Sequence, residues 1–275
     1  MKTLYFDCFA GASGNMILGA LIALGIDREK LIEQIKLLDI ADFEIEFTTK
    51  DKSGISAVHA EVKFVEERKH RHLSDIQTII ENSRLSDSVK KNAIKIFTRL
   101  AEAEAKVHGI EVEKVHFHEV GAMDAMVDVV GACVGFEMLG IEKFACSKIH
   151  VGSGFVKMAH GKFPVPPPAV VELLQDIPIY STDIEGELIT PTGAAIISTV
   201  CDEFGNIPEI KIKKTAYGAG MREYQDFPNV LRLFLGETAN EQLTINNEQL
   251  TLIETNLDDI SPQILGFVME RAFEL

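Results

Sequence analysis

With 275 residues, 46% of them hydrophobic and 25% charged, the chain has a globular composition and enough length to bury a substantial core, as one large domain or two smaller ones. A net charge of −15, from 42 acidic and 27 basic side chains, and a pI near 5.0 exclude a general nucleic-acid or acidic-membrane binder, so any phosphate must be caught locally. Cys8, Cys133, Cys146 and Cys201 are widely spread and form no C-x-x-C pair, which predicts small core residues with reduced thiols in a cytoplasmic protein.

Thr3 to Phe9 reads as a short buried strand, followed by the turn Gly11-Ala12-Ser13-Gly14-Asn15 and a helix to about Leu24. The apolar run Met16 to Gly25 resembles the core of a signal peptide. Asp7, the turn and the helical periodicity mark instead the start of a folded domain, and no later run is long enough to span a bilayer. Asp27 is placed to cap a helix running to about Leu38. Phe43 to Thr49 and Ser56 to Val65 alternate as strands of a hairpin around Lys52-Ser53-Gly54. Ser74 and Ser86 then begin two amphipathic helices, the second running to about His108.

The stretch Val115 to Gly131 is the densest in chemistry. His116 and His118 share a face if extended, and Asp124 and Asp128 share one if a helix begins near Gly121. That helix, about Ala122 to Leu139, has apolar or small residues on almost every side and is predicted to be buried. A buried carboxylate is costly unless paired, hydrogen-bonded or metal-bound, so Asp128 requires a cation, a histidine or a ligand; a satisfied core carboxylate is the plain alternative. Asp124, in the first helical turn, is equally explained by the positive end of the helix dipole.

A strand over Phe144 to Val151 follows, then a long turn-rich loop from Gly152-Ser153-Gly154 to the prolines at 164 and 166–168, where a short helix begins. His150 and His160 flank this loop, and each alone reads as a surface residue. Thr190-Pro191-Thr192-Gly193 starts a helix to about Phe204, and Glu209 to Tyr217 and Asn229 to Leu235 read as strands. Residues 1–236 are thus the main domain and 237–249 a linker. A strand at Leu250 to Asn256 and a helix at Pro262 to Phe273 are the first pieces of an incomplete C-terminal domain at 250–275. The fold class is α/β or α+β, with a mixed β-sheet and packed helices.

Two turns are suited to anions. Gly11 to Asn15 puts flexible backbone and a hydroxyl at a helix N-terminus, where free N–H groups and the dipole favour negative charge; it is neither a Walker A loop nor a G-x-G-x-x-G fingerprint. Thr190 to Gly193 is a second such terminus, and mere capping explains it equally. Asp7, at a strand end, is placed either as a metal or substrate ligand or as a turn cap. His70 and His72 lie in a charge-rich run best read as a solvated loop.

Asp7 with Gly11 to Met16, His116 to Asp124, Thr190 to Ala195, Tyr217 to Gly220, Asn229 to Arg232 and Glu254 to Asp259 together resemble the LarC family of nickel insertion proteins, over nearly the whole chain. The resemblance implies CTP-dependent insertion of nickel into pyridinium-3,5-bisthiocarboxylic acid mononucleotide, giving the nickel-pincer cofactor of lactate racemase. It also implies a C-terminal domain that handles CTP with Mg or Mn, and apo lactate racemase as recipient of the cofactor. A homo-oligomer is expected. Two departures stand out: family members commonly carry Asp where this chain has Asn15, and more histidines where only His70 and His72 stand.

On this reading Asp7, His116, His118, Asp124 and Asp128 are the metal candidates, since imidazole suits nickel and carboxylates also suit magnesium or manganese. Gly11, Ser13, Gly14, Asn15, Thr190, Thr192 and Gly193 are the candidates for holding the nucleotide phosphate. His118, Glu119 and Asp128 are the catalytic candidates, because a nickel–carbon bond requires loss of a ring proton to a base. A metal-dependent phosphohydrolase and a non-catalytic nickel delivery module are the competing readings.

Overall fold

The computed structural model describes residues 1–40, 42–64, 71–115, 117, 122–158, 161–239, 261, 264, 266–268 and 271. The chain divides into two compact units, Met1–Ala239 and Asn240–Leu275.

In the first unit β1 (Lys2–Asp7) leads through the Gly-rich turn to α1 (Gly14–Ala23). Asp27 accepts from the Glu29 and Lys30 amides at 3.0 and 3.1 Å and so caps α2 (Arg28–Ile35), as the sequence predicts. The hairpin β2 (Phe43–Lys52) and β3 (Ile55–Phe64) turns at Ser53-Gly54. Next come α3 (Leu73–Asn82), α4 (Asp87–His108), capped by Ser86, and the buried α5 (Ala122–Leu139).

The expected strand at 144–151 is broken in two, β4 (Lys143–Cys146) and β5 (Ile149–His150). Between them the Ser147 hydroxyl accepts from the Cys8 amide at 2.9 Å and donates to the Lys148 carbonyl, which turns the chain. The stretch predicted as loop holds short strands: β6 (Gly152–Ser153), and a hairpin of β7 (Phe155–Met158) and β8 (Gly161–Pro164). Its glycines and proline mask this in the sequence, because they read as turn residues.

After α6 (Pro168–Leu173), β9 (Ile179–Tyr180) and β10 (Gly186–Glu187) comes α7 (Pro191–Val200). It stops short of Phe204 because β11 (Glu203–Phe204) pairs in parallel with β4. The long strands β12 (Ile210–Ala219) and β13 (Val230–Thr238) complete the unit.

One seven-stranded sheet, in the order β11-β4-β1-β13-β12-β3-β2, is the frame. It is mixed: β1 runs parallel to β4 and antiparallel to β13, while β12 meets β3 in parallel through the single pair Gly218 and Val58. Helix α1 lies on β3 and β12, and α5 packs on α1, α2 and α4. The approach of α1 is close. A side chain at Gly218 would stand 1.8 Å from the Met16 carbonyl oxygen, so only glycine lets helix and strand meet there.

The continuous apolar stretch of α5 is explained by this layering: Met126, Val127, Val129, Val130 and Ala132 are wholly buried. All four cysteines are buried and free, as expected of small core residues. Among the described residues no helix is long and apolar enough to cross a membrane.

In the second unit Ile264, Gly266, Phe267, Val268 and Arg271 are helical, within the helix predicted from Pro262. The expected strand at 250–256 and most of the linker lie outside the described residues; β13 itself runs to Thr238.

Candidate functional site

The two turns singled out for anions stand side by side. Ala12 donates to the Leu188 carbonyl at 3.1 Å and accepts from the Thr190 amide at 3.0 Å, so the N-termini of α1 and α7 are joined through backbone. Gly11 and Gly193 sit behind this junction. A side chain at Gly11 would strike the Leu188 carbonyl, and one at Gly193 the Ala12 carbonyl, so both serve the close approach of the turns. Ser13, Gly14, Asn15, Thr190 and Thr192 line a cavity of about 890 Å³ in front of them.

Capping differs at the two termini. The Thr190 hydroxyl accepts from the Gly193 amide at 3.2 Å and closes the first turn of α7. Ser13 makes no such cap; its hydroxyl donates to the Asn15 side-chain oxygen at 2.5 Å. The first amides of α1 are therefore not taken by the Ser13 side chain.

Helix α5 brings Asp124 and Asp128 to the same cavity, one turn apart. Asp128 is 5% exposed, and among the described residues nothing hydrogen-bonds its Oδ1. A side chain at Gly14 would stand 2.1 Å from Asp128 Oδ2, so the carboxyl occupies the space that glycine leaves at the start of α1. Burial first, and the nearby Asp124 charge second, push the Asp128 carboxyl well above the usual carboxylate range. Asp124 stays open to solvent on the concave wall, and the protein crowding that wall pushes its carboxyl up as well.

Five further charged or titratable side chains line the cavity unannounced by sequence pattern: His59, Glu61, Lys157, Glu187 and Arg222. His59 and Glu61 are hidden in the alternation of β3, and Lys157 in what reads as loop. Arg222 donates to the Glu187 carbonyl at 3.1 Å, holding its guanidinium beside β10. Four carboxylates thus face two cations and one imidazole, which favours a positively charged occupant near the acids.

Asp7 lies elsewhere. It is the cross-strand partner of Arg232, whose Nε donates to Asp7 Oδ2 at 2.7 Å and whose guanidinium stacks over Phe234. Asp7 does not line this cavity.

His150 is 1% exposed and not the surface residue the sequence suggests. Its Nδ1 bonds the Phe9 carbonyl at 2.9 Å and its Nε2 bonds the Thr182 amide and hydroxyl, so both ring nitrogens are satisfied within the fold. His72 is bonded through Nδ1 to the Val115 carbonyl at 3.1 Å. His70, His116, His118, Glu119 and His160 lie outside the described residues. Among the described residues no three His, Cys, Asp or Glu side chains are gathered around one ion position.

Comparison with known proteins gives a consistent result. The sequence profile described as nickel insertion protein matches residues 4–275. A protein of Desulfitobacterium hafniense (strain DSM 10664 / DCB-2), named pyridinium-3,5-bisthiocarboxylic acid mononucleotide nickel insertion protein, is 49% identical over 100% of this chain and 69% of its own length. A protein of Thermotoga sp. (strain RQ2) with the same name is 44% identical, over 100% of this chain and 70% of its own length. No solved structure matches the chain.

Proposed function

The chain belongs to the nickel insertion protein family, and from that premise we propose that it is the nickel- and substrate-handling part of an enzyme that builds the nickel-pincer cofactor. The substrate is pyridinium-3,5-bisthiocarboxylic acid mononucleotide, named in its relatives, and nickel is the cargo. The observation that carries this reading is the meeting of two helix N-termini with the buried Asp128 carboxyl, whose Oδ1 has no partner among the described residues, in one cavity.

The chemistry has three demands. The single phosphate of the substrate needs donors in an acidic protein, and the first amides of α1 with the Thr190 and Thr192 turn provide them. The positively charged pyridinium ring and the arriving nickel need negative charge, which Asp124 and Asp128 provide. Insertion itself forms two nickel–sulfur bonds and one nickel–carbon bond; the ring C–H bond breaks, its electron pair goes to nickel and its proton to a base. Asp128, ionised by the arriving cation and made more basic than an ordinary carboxylate by burial, is suited to take that proton, and His118 and Glu119 share the assignment.

The reaction is CTP-dependent on this reading, with CTP and its Mg or Mn held by a C-terminal domain needed for full turnover. We place the protein in the cytoplasm, as a homo-oligomer that passes its product to apo lactate racemase. The test is incubation of the chain with nickel, CTP, magnesium and the mononucleotide, with and without the C-terminal domain. New nickel–sulfur absorbance and racemase activation support insertion. Stoichiometric nickel binding without cofactor, even with both parts present, supports a delivery module instead, and phosphate release from simple esters a phosphohydrolase.

A further inference from the structure

The sheet is held together between β3 and β12 by one residue pair, Val58 with Gly218. One residue further along each strand, the His59 ring spans the gap and its Nδ1 lies 3.0 Å from the Ala219 carbonyl oxygen. A carbonyl oxygen only accepts, so Nδ1 carries the proton and donates. In the neutral ring the lone pair then sits on Nε2, on the side away from Ala219. No described residue bonds Nε2, and His59 lines the cavity that also holds Asp124 and Asp128.

This is how proteins prepare a histidine to bind a metal: one ring nitrogen donates to a backbone carbonyl, fixing tautomer and orientation, and the other stays available. The cavity supplies the rest of the argument. Its carboxylates draw a divalent cation but do not distinguish nickel from magnesium, whereas an imidazole nitrogen favours nickel. Asp128, buried and with no partner for Oδ1 among the described residues, is an independent sign that a positively charged group belongs here.

We propose that His59 is the nickel-selecting ligand of this cavity: Nε2 takes up the arriving ion, and the sulfur atoms of the substrate then complete its coordination. The proposal rests on the insertion reading for the identity of the metal and of the sulfur donor. It gives the nickel one firm protein ligand of the imidazole type and leaves positions open for the incoming substrate, as suits a cargo that must move on.

Nickel chloride titration of the chain, without CTP or mononucleotide, tests it. In His59→Asn the side-chain amide still donates to Ala219, so the strand junction is kept while the Nε2 ligand is lost. We expect the variant to melt with the parent, its nickel affinity to fall at least about tenfold, and its magnesium affinity to stay unchanged. Equal nickel affinity in parent and variant overturns the assignment. On the unaltered chain labelled at histidine, substoichiometric nickel broadens the ring resonances of His59; if these stay sharp while other histidines broaden, the assignment also fails, whatever the variant does. The insertion reading fails separately: a chain that binds nickel through His59 and makes no cofactor even with CTP, magnesium, the mononucleotide and the C-terminal domain present refutes insertion alone, and wild-type cofactor yield with wild-type nickel affinity in His59→Asn refutes the His59 assignment alone.

Discussion

The Asp128 carboxyl fills the space where a side chain at Gly14 would stand, with its Oδ2 2.1 Å from that missing Cβ position. Two segments far apart in sequence thereby share one small volume: the turn that opens α1 and the first turns of the buried helix α5. The arrangement puts a carboxyl at the positive end of a helix, in a wall of a cavity, without a partner for Oδ1 among the described residues. The helix end favours the charge, but burial outweighs it, and that cost has a measurable signature.

That signature is a pH dependence. Because the folded-state value of Asp128 is raised above its unfolded value near 3.8, the native state holds the proton more tightly, and stability falls as pH rises from about 4 through the folded value. Each tenfold tightening of proton binding in the native state corresponds to about 1.4 kcal/mol. In denaturant titrations of the metal-free protein, Asp128→Asn is expected to lack this fall, so that the variant gains on the parent as pH rises above the unfolded value near 3.8. Parallel curves for the two proteins contradict the assignment of a raised value to Asp128.

Gly14 and Gly218 both exclude a side chain, with different consequences. Gly218→Ala meets the Met16 carbonyl on a packed backbone and is expected to cost about 3 kcal/mol or more. Gly14→Ala displaces the Asp128 carboxyl and would also stand 2.5 Å from the Asp128 Cβ, which rotation cannot move, so it too is expected to cost stability; in addition the folded variant is expected to lose substrate binding, read by calorimetry with the mononucleotide.

The first amides of α7 are held by Thr190. Thr190→Ala removes the bond to the Gly193 amide and is expected to lower stability by about 1 kcal/mol. If this terminus also holds the nucleotide phosphate, binding of the mononucleotide weakens while nickel affinity in its absence is unchanged; an equal loss of both argues that the terminus acts only through the fold.

Asp7 is spoken for by Arg232. Asp7→Asn is expected to cost about 1–3 kcal/mol of stability, since it leaves a partly buried guanidinium without its charge partner, and to leave nickel affinity unchanged. A tenfold loss of nickel affinity in this variant would restore Asp7 as a ligand.

What the sequence disclosed depended on how local the signal was. Asp27 and Ser86 as caps, the hairpin at Ser53-Gly54 and the buried α5 are written in neighbouring residues and are found where predicted. Asp128 stood out because a carboxylate in an otherwise apolar helix is costly wherever that helix packs. His59 gave no sign, because its meaning depends on Ala219 and on a parallel pairing of β3 with β12 across more than half of the chain. Asp7 shows the same limit: at a strand end it reads as a ligand or a turn cap, and its pairing with Arg232 depends on β13 lying beside it. The hairpin of β7 and β8, which carries Lys157 to the cavity, was concealed by glycine and proline in strands of only four residues each.

The central claim is that the cavity around Asp128 is where nickel and the mononucleotide are brought together. Its most direct test is the initial rate of nickel–sulfur absorbance when the chain, or its Asp128→Asn variant, is mixed with nickel, CTP, magnesium, the mononucleotide and the C-terminal domain. A rate at least about a hundredfold lower in the folded variant is predicted, in line with the loss of a proton acceptor. Equal rates in parent and variant would contradict it.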